Sequence, residues 1–182
     1  METSSERAPG APRGGRPGGP PAAFLLAQVG AHAASQFATR LAALELMPPH
    51  AGILRILGAQ PAITQQALAG ALGTQPSRLV ALVDELEARG LVERRENPDD
   101  RRRYDLHLTV AGRAMLEAVE RVGREHQQAM LAALNEDEQR QLAGFLRRVA
   151  DQQGLVPGVH PGYVRWGGGR RGVCEAPGGP TP

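Results

Sequence analysis

The stretch VERRENPDDRRRYDLHLT, Val92 to Thr109, holds five arginines and five carboxylates in eighteen residues and ends in strand-like apolar alternation. Leu91 to Arg95 reads as a short strand. Glu96-Asn97-Pro98-Asp99-Asp100 has turn chemistry, and Tyr104, Leu106 and Leu108 then alternate with Arg103, Asp105 and His107 as a second strand. The charges nearly cancel, so this hairpin is no generic basic patch, and its significance depends on what surrounds it.

Immediately before it, Thr74 or Gln75 opens a helix with Pro76 in its first turn. Leu79, Leu82, Val83 and Leu86 follow at helical spacing up to Gly90. The preceding helix has Thr64 as its cap, Ala67, Leu68, Ala71 and Leu72 as expected buried positions, and Gly73 as its stop. Two helices across a glycine turn make a helix-turn-helix candidate, although any helical hairpin gives this pattern. A strand hairpin directly behind it makes a winged helix.

Outward from that unit the text is helical. Phe24, Val29 or Gly30, Ala33, Phe37, Leu41 and Leu44 lie at steps of three and four along an expected helix from Phe24 to Leu46. Pro48 and Pro49 suit the first turn of the next, which runs through Ile53, Leu54, Ile56 and Leu57 to an expected stop at Gly58. Thr109 caps a long helix through Leu116, Val119 and Val122 toward Met130, Leu131 and Leu134. Asn135 and Glu138 form a capping box that starts a last helix through Leu142, Phe145, Leu146 and Val149. The fold class is mainly α with a small β-hairpin wing.

The totals agree with one domain of aliphatic, helical core: 182 residues with 3% aromatic content. All 21 basic residues are arginine, a pattern we assign to codon bias. Six of these arginines and three of the 19 acids lie in residues 1–21 and 154–182, leaving 15 against 16 in the body. Bulk charge therefore argues for no nucleic-acid partner, and any such case rests on position. Both ends are rich in Gly, Pro and Arg and are expected to be disordered; RWGGGRRG, Arg165 to Gly172, reads as low-complexity sequence rather than a nucleic-acid-binding element. The single cysteine, Cys174, excludes an intrachain disulfide framework. No leader segment is visible, and Phe24 to Met47 is interrupted by His32, Arg40 and Glu45, too polar for a membrane span. A soluble cytoplasmic protein is expected.

The segment ALAGALGTQPSRLVALVDELEARGLVERR, Ala67 to Arg95, followed by Asp100-x-Arg102, five residues and Leu108-Thr109, resembles the MarR family of bacterial transcriptional regulators. The likeness runs from about residue 24 to 152. It implies a homodimer within residues 22–153, joined through helices at 24–46 and 110–152, with winged helix-turn-helix lobes at 48–109. The apolar stripes on the outer helices independently call for a partner, because a small three-helix lobe does not cover them. Two lobes about a two-fold axis imply a pseudo-palindromic operator in double-stranded DNA, with half-sites ~10 bp apart.

The resemblance places the first turn of the recognition helix, Gln75, Pro76, Ser77 and Arg78, against the major groove. There Gln pairs with adenine and Arg with the O6/N7 edge of guanine. Many relatives carry Ser or Thr near position 78 and Arg near 81; this chain has Arg78 and Ala81, so its specificity is expected to differ. At the wing, the family pattern makes Arg102 the minor-groove residue, supported by Asp100 and by Asp84, with Arg101 and Arg103 on phosphates. The family commonly responds to an anionic aromatic or phenolic effector, for which His32, His50 and Arg55 are candidates. With no cysteine in the first helix, a thiol sensor is not expected. No cofactor or metal is implied, and scattered histidines at 32, 50, 107, 126 and 160 argue against an enzyme. The rival reading is a winged helix that binds protein or acts as a scaffold without specific DNA binding.

Overall fold

The computed structural model describes residues 19–97, 104–156 and 158. Six helices and three short strands follow one another: α1 (Ala22–Ala42), α2 (Pro48–Ala59), β1 (Ile63–Thr64), α3 (Gln65–Leu72), α4 (Pro76–Ala88), β2 (Val92–Glu96), β3 (Tyr104–Leu108), α5 (Val110–Met130) and α6 (Glu136–Gln152). The strands form an antiparallel sheet in the order β1-β3-β2. Val92 pairs with Leu108 and Glu96 with Tyr104 across the hairpin, while Ile63 and Thr64 pair with Leu106 and Asp105 on the other edge.

The core lies where α2, α3, α4 and the sheet meet. Ile53, Leu54, Leu57, Leu68, Leu79, Val83, Leu86, Val92 and Leu106 are almost wholly buried there, and Leu41 and Val119 bring in α1 and α5. The expected caps are present. Thr64 Oγ1 accepts from Ala67 N at 3.2 Å, and Asn135 and Glu138 make the reciprocal pair that opens α6. Gly73 (φ 60°) and Gly90 (φ 67°) take the left-handed conformation that ends α3 and α4.

Three local expectations are corrected. The first helix ends at Ala42 rather than Leu46, because Glu45 itself turns left-handed (φ 55°) and the chain closes with Leu46 N donating to Leu41 O and Glu45 N to Ala42 O. Gly58 does not stop α2, which continues through it to Ala59; a Cβ there would lie 2.4 Å from Leu116 Cδ2, so the glycine admits α5. In α3 the buried face is Leu68, Ala69 and Leu72, while Ala67 and Ala71 are exposed. The strand β1 was not expected, since two residues carry no alternation.

Beyond the core, apolar surface remains open. Phe24, Leu25, Leu26 and Val29 on α1 and Phe145, Leu146 and Val149 on α6 are exposed, and α6 has no buried residue. No helix among the described residues is long and apolar enough to cross a membrane. The tails fall almost entirely outside the described residues.

Candidate nucleic-acid interface

The first turn of α4 is presented rather than packed. Gln75 is the N-cap, but its side chain makes no capping bond, and Pro76 at the first helical position contributes no N–H. Gln75, Pro76 and Ser77 are exposed and Arg78 is half-buried, while Leu79, Leu82, Val83 and Leu86 on the opposite face hold the helix to the core. Val80, 41% exposed, and Ala81 extend the same outer surface. Val80 was not a candidate from the sequence, where its place in the helical spacing gives no sign of exposure.

The second half of α4 is tied down through its charged side chains. Arg94 on β2 donates through Nη2 to Asp84 Oδ1 at 2.6 Å and pairs through Nη1 with Glu87. Glu85 Oε2 lies 3.0 Å from Nε2 of the buried His50, off the line of a good hydrogen bond. Arg89 reaches back to the end of α1. Asp84, expected to support Arg102, pairs with Arg94, and Arg102 itself lies outside the described residues. One guanidinium thus offsets part of the negative charge of two carboxylates that would repel a polyanion.

At the base of the wing, Asp105 is buried, interrupting the expected alternation. Its Oδ2 accepts from Asn97 Nδ2 at 2.8 Å, so the two strands are joined where the hairpin loop leaves the sheet. Asp100, Arg101, Arg102 and Arg103 lie outside the described residues. Between the sheet and the first turn of α3 is a hollow of about 250 Å³ lined by Thr64, Gln65, Gln66, Arg94 and Tyr104. None of these was a sequence candidate, since the hollow depends on β1 joining the sheet.

Comparison with known proteins gives this geometry a context. Residues 44–103, from the end of α1 through the wing, match the model of the MarR family. A protein of Thauera aromatica, named as a transcriptional regulatory protein for the hcr operon, is 35% identical over 123 residues, covering 67% of this chain and 74% of that one. The chain belongs to the MarR family. Among solved structures, the repressor CouR bound to a 23-mer DNA duplex superposes with a TM-score of 0.64 at 30% identity, covering 71% of this chain and 92% of that one. The Mycobacterium tuberculosis MarR family protein Rv2887 in complex with DNA gives 0.62 at 27% identity, covering 72% and 98%.

The candidates for effector binding do not sit together in this MarR-family chain. His50 is buried at the start of α2, where its Nδ1 accepts from Met47 N at 3.3 Å. Burial lowers its pKa below the ordinary histidine value; Glu85 opposes this and Arg89 adds to it. Arg55 is exposed beside a hollow of about 270 Å³ between α2 and α3. His32 is exposed on α1, close enough to His126 on α5 to help depress that residue's pKa, after burial and Arg40. Phe37 stands with its ring centroid 5.4 Å from that of His126. Arg40 Nε and His126 Nδ1 are buried without a hydrogen-bond partner. That Arg40, Phe37 and His126 come together was not legible in the sequence, because nothing in their spacing links α1 to α5.

Proposed function

We propose that the protein is a sequence-specific DNA-binding transcriptional regulator that acts as a homodimer on a pseudo-palindromic operator. The observation that carries this reading is the division of α4: Gln75, Ser77 and Arg78 are free at its start, while Asp84 and Glu87 are held back by Arg94. Arg78 and Gln75 offer hydrogen bonds to purine edges, and Val80 and Ala81 offer methyl groups to thymine. Thr64, Gln65 and Tyr104, which line the hollow between the sheet and α3, serve as phosphate contacts. Arg102, steadied by Asp100, enters the minor groove, and Arg101 and Arg103 hold the backbone.

The winged lobe spans about residues 48–109, and the helices before and after it join two copies. The open apolar groups of α1 and α6 are the natural contact, since a second chain removes both from water. Repression is the mode we assign, following relatives named as repressors, and the place of action is the bacterial cytoplasm, where the DNA lies. An anionic aromatic or phenolic effector is best matched by His32, Arg40 and His126 beside Phe37, because the Arg40 guanidinium and the His126 imidazole each carry a buried, unpartnered nitrogen.

The test is selection of duplexes from a random-sequence pool by the purified dimer, followed by footprinting. Two symmetric half-sites ~10 bp apart are expected, with affinity falling steeply as salt rises. Absence of salt-dependent binding at low ionic strength would support the scaffold reading instead.

A further inference from the structure

Arg89, the C-cap of α4, connects that helix to the end of α1. Its Nη1 donates to Glu45 O at 2.7 Å and its Nη2 to Leu44 O at 3.1 Å, while the Glu45 carboxylate lies 3.7 Å away. These carbonyls belong to the turn that closes α1, where a helix leaves acceptors without intrahelical donors and carries partial negative charge. The left-handed Glu45 turns them outward. A planar guanidinium gripping two successive carbonyls fixes direction as well as distance. Among the described residues this is the hydrogen-bonded tie between α4 and the α1 corner; Arg94 and His50 tie α4 only to neighbours within the lobe.

We propose that Arg89 is a positioning residue that sets the spacing between the two half-sites the dimer accepts. The inference rests on the dimeric DNA-binding reading above. α1 is the lever: its 21 residues span about 30 Å at 1.5 Å per residue. Over that length roughly 6° of slack displaces α4 by about 3 Å, close to the ~3.4 Å rise of one base pair. Loosening one guanidinium therefore blurs the dimer's ruler by about one base pair without touching a base-reading group.

The experiment uses the full chain and the duplex that the wild-type dimer selects from random sequence, rebuilt with one or two base pairs inserted or removed between half-sites. For the wild type, a one-base-pair change should weaken binding on the order of tenfold or more. For Arg89→Ala the same change should cost about threefold or less, with a comparable sedimentation coefficient and the same preferred half-site sequence. Should Arg89→Ala fail to yield a folded dimer, Arg89→Lys decides: its ammonium replaces one bond but not the fork, so the profile should broaden to an intermediate degree. An unchanged spacing profile in a folded variant overturns the inference while leaving DNA binding intact. A wild type that selects no paired half-sites overturns the functional reading itself, and this inference with it.

Discussion

Thr109 donates its hydroxyl to the carbonyl of Gly90 at 2.6 Å and accepts from the N–H of Gly112 at 2.9 Å. One side chain thus caps α5 and holds the end of α4, with Thr109 N to Leu91 O at 3.2 Å beside it. The Leu-Thr pair that closes the wing signature is in this chain a structural clasp.

The clasp leaves no room at Gly112, where a Cβ would come 1.9 Å from the Leu91 carbonyl oxygen. Because that neighbour is backbone, Gly112→Ala should force the turn apart and destabilise the fold by about 3 kcal/mol or more. Thr109→Val, which loses the cap and the donor but keeps the shape, should cost about 1–2 kcal/mol. Urea denaturation at one fixed protein concentration measures both; equal midpoints for Gly112→Ala and the wild type would contradict the close approach.

The buried His50 makes stability depend on pH. Its pKa is depressed in the folded state, chiefly by burial, so the unfolded chain binds its proton more readily. The stability this neutral histidine supports is present above the unfolded value of ~6.5 and is lost as pH falls below it toward the folded value. His126 shifts in the same direction and adds to the loss. His50→Asn, whose amide oxygen can still accept from Met47 N, should flatten part of the decline between pH 7 and pH 5. Parallel stability profiles for variant and wild type would remove His50 from the account.

Much of the fold could be read in the chain because its signals are local. Thr64, Asn135, Gly73 and Gly90 each mark a helix end by chemistry confined to a few residues, and the alternation of Leu106 and Leu108 marks a strand. What escaped was set by distant neighbours. Gly58 has the same letter whether it ends a helix or admits Leu116, and nothing local marks Glu45 as the residue that turns left-handed beneath Arg89. Within the candidate site, the free start of α4 was legible from Pro76 and the apolar spacing behind it. The pairing of Asp84 with Arg94 was not, because nothing in the local sequence marks which face of β2 is turned to α4.

Arg94 supplies a direct test of electrostatics against packing. Arg94→Met leaves Asp84 and Glu87 uncompensated on the recognition helix, and repulsion of the DNA by roughly 1 kcal/mol corresponds to about fivefold weaker binding. Adding Asp84→Asn and Glu87→Gln in the same chain should recover most of that loss. If binding stays weak in the triple variant while the fold remains intact, Arg94 acts by orienting the wing rather than by neutralising α4. Affinities measured at two salt concentrations separate the alternatives further, since the electrostatic loss shrinks as screening increases.

Arg78 and Arg102 should fail in different ways when removed. Arg78 stands at the start of α4 beside Gln75 and Ser77; if its guanidinium reads a guanine edge as proposed, Arg78→Ala should relax preference at one or two base pairs of each half-site. Moving the arginine along the helix, Arg78→Ser with Ala81→Arg, should move the preferred base rather than abolish binding. Arg102→Ala, which on the proposed reading removes a minor-groove contact, should weaken the selected site at least about tenfold, ~1.4 kcal/mol, with its losses centred on base pairs outside those read by α4. Comparing the sequences selected from random duplexes by each variant distinguishes the two roles. Identical preferences for Arg78→Ala and the wild type would take base recognition away from Arg78, and an unchanged affinity for a folded Arg102→Ala dimer would take the minor groove away from Arg102.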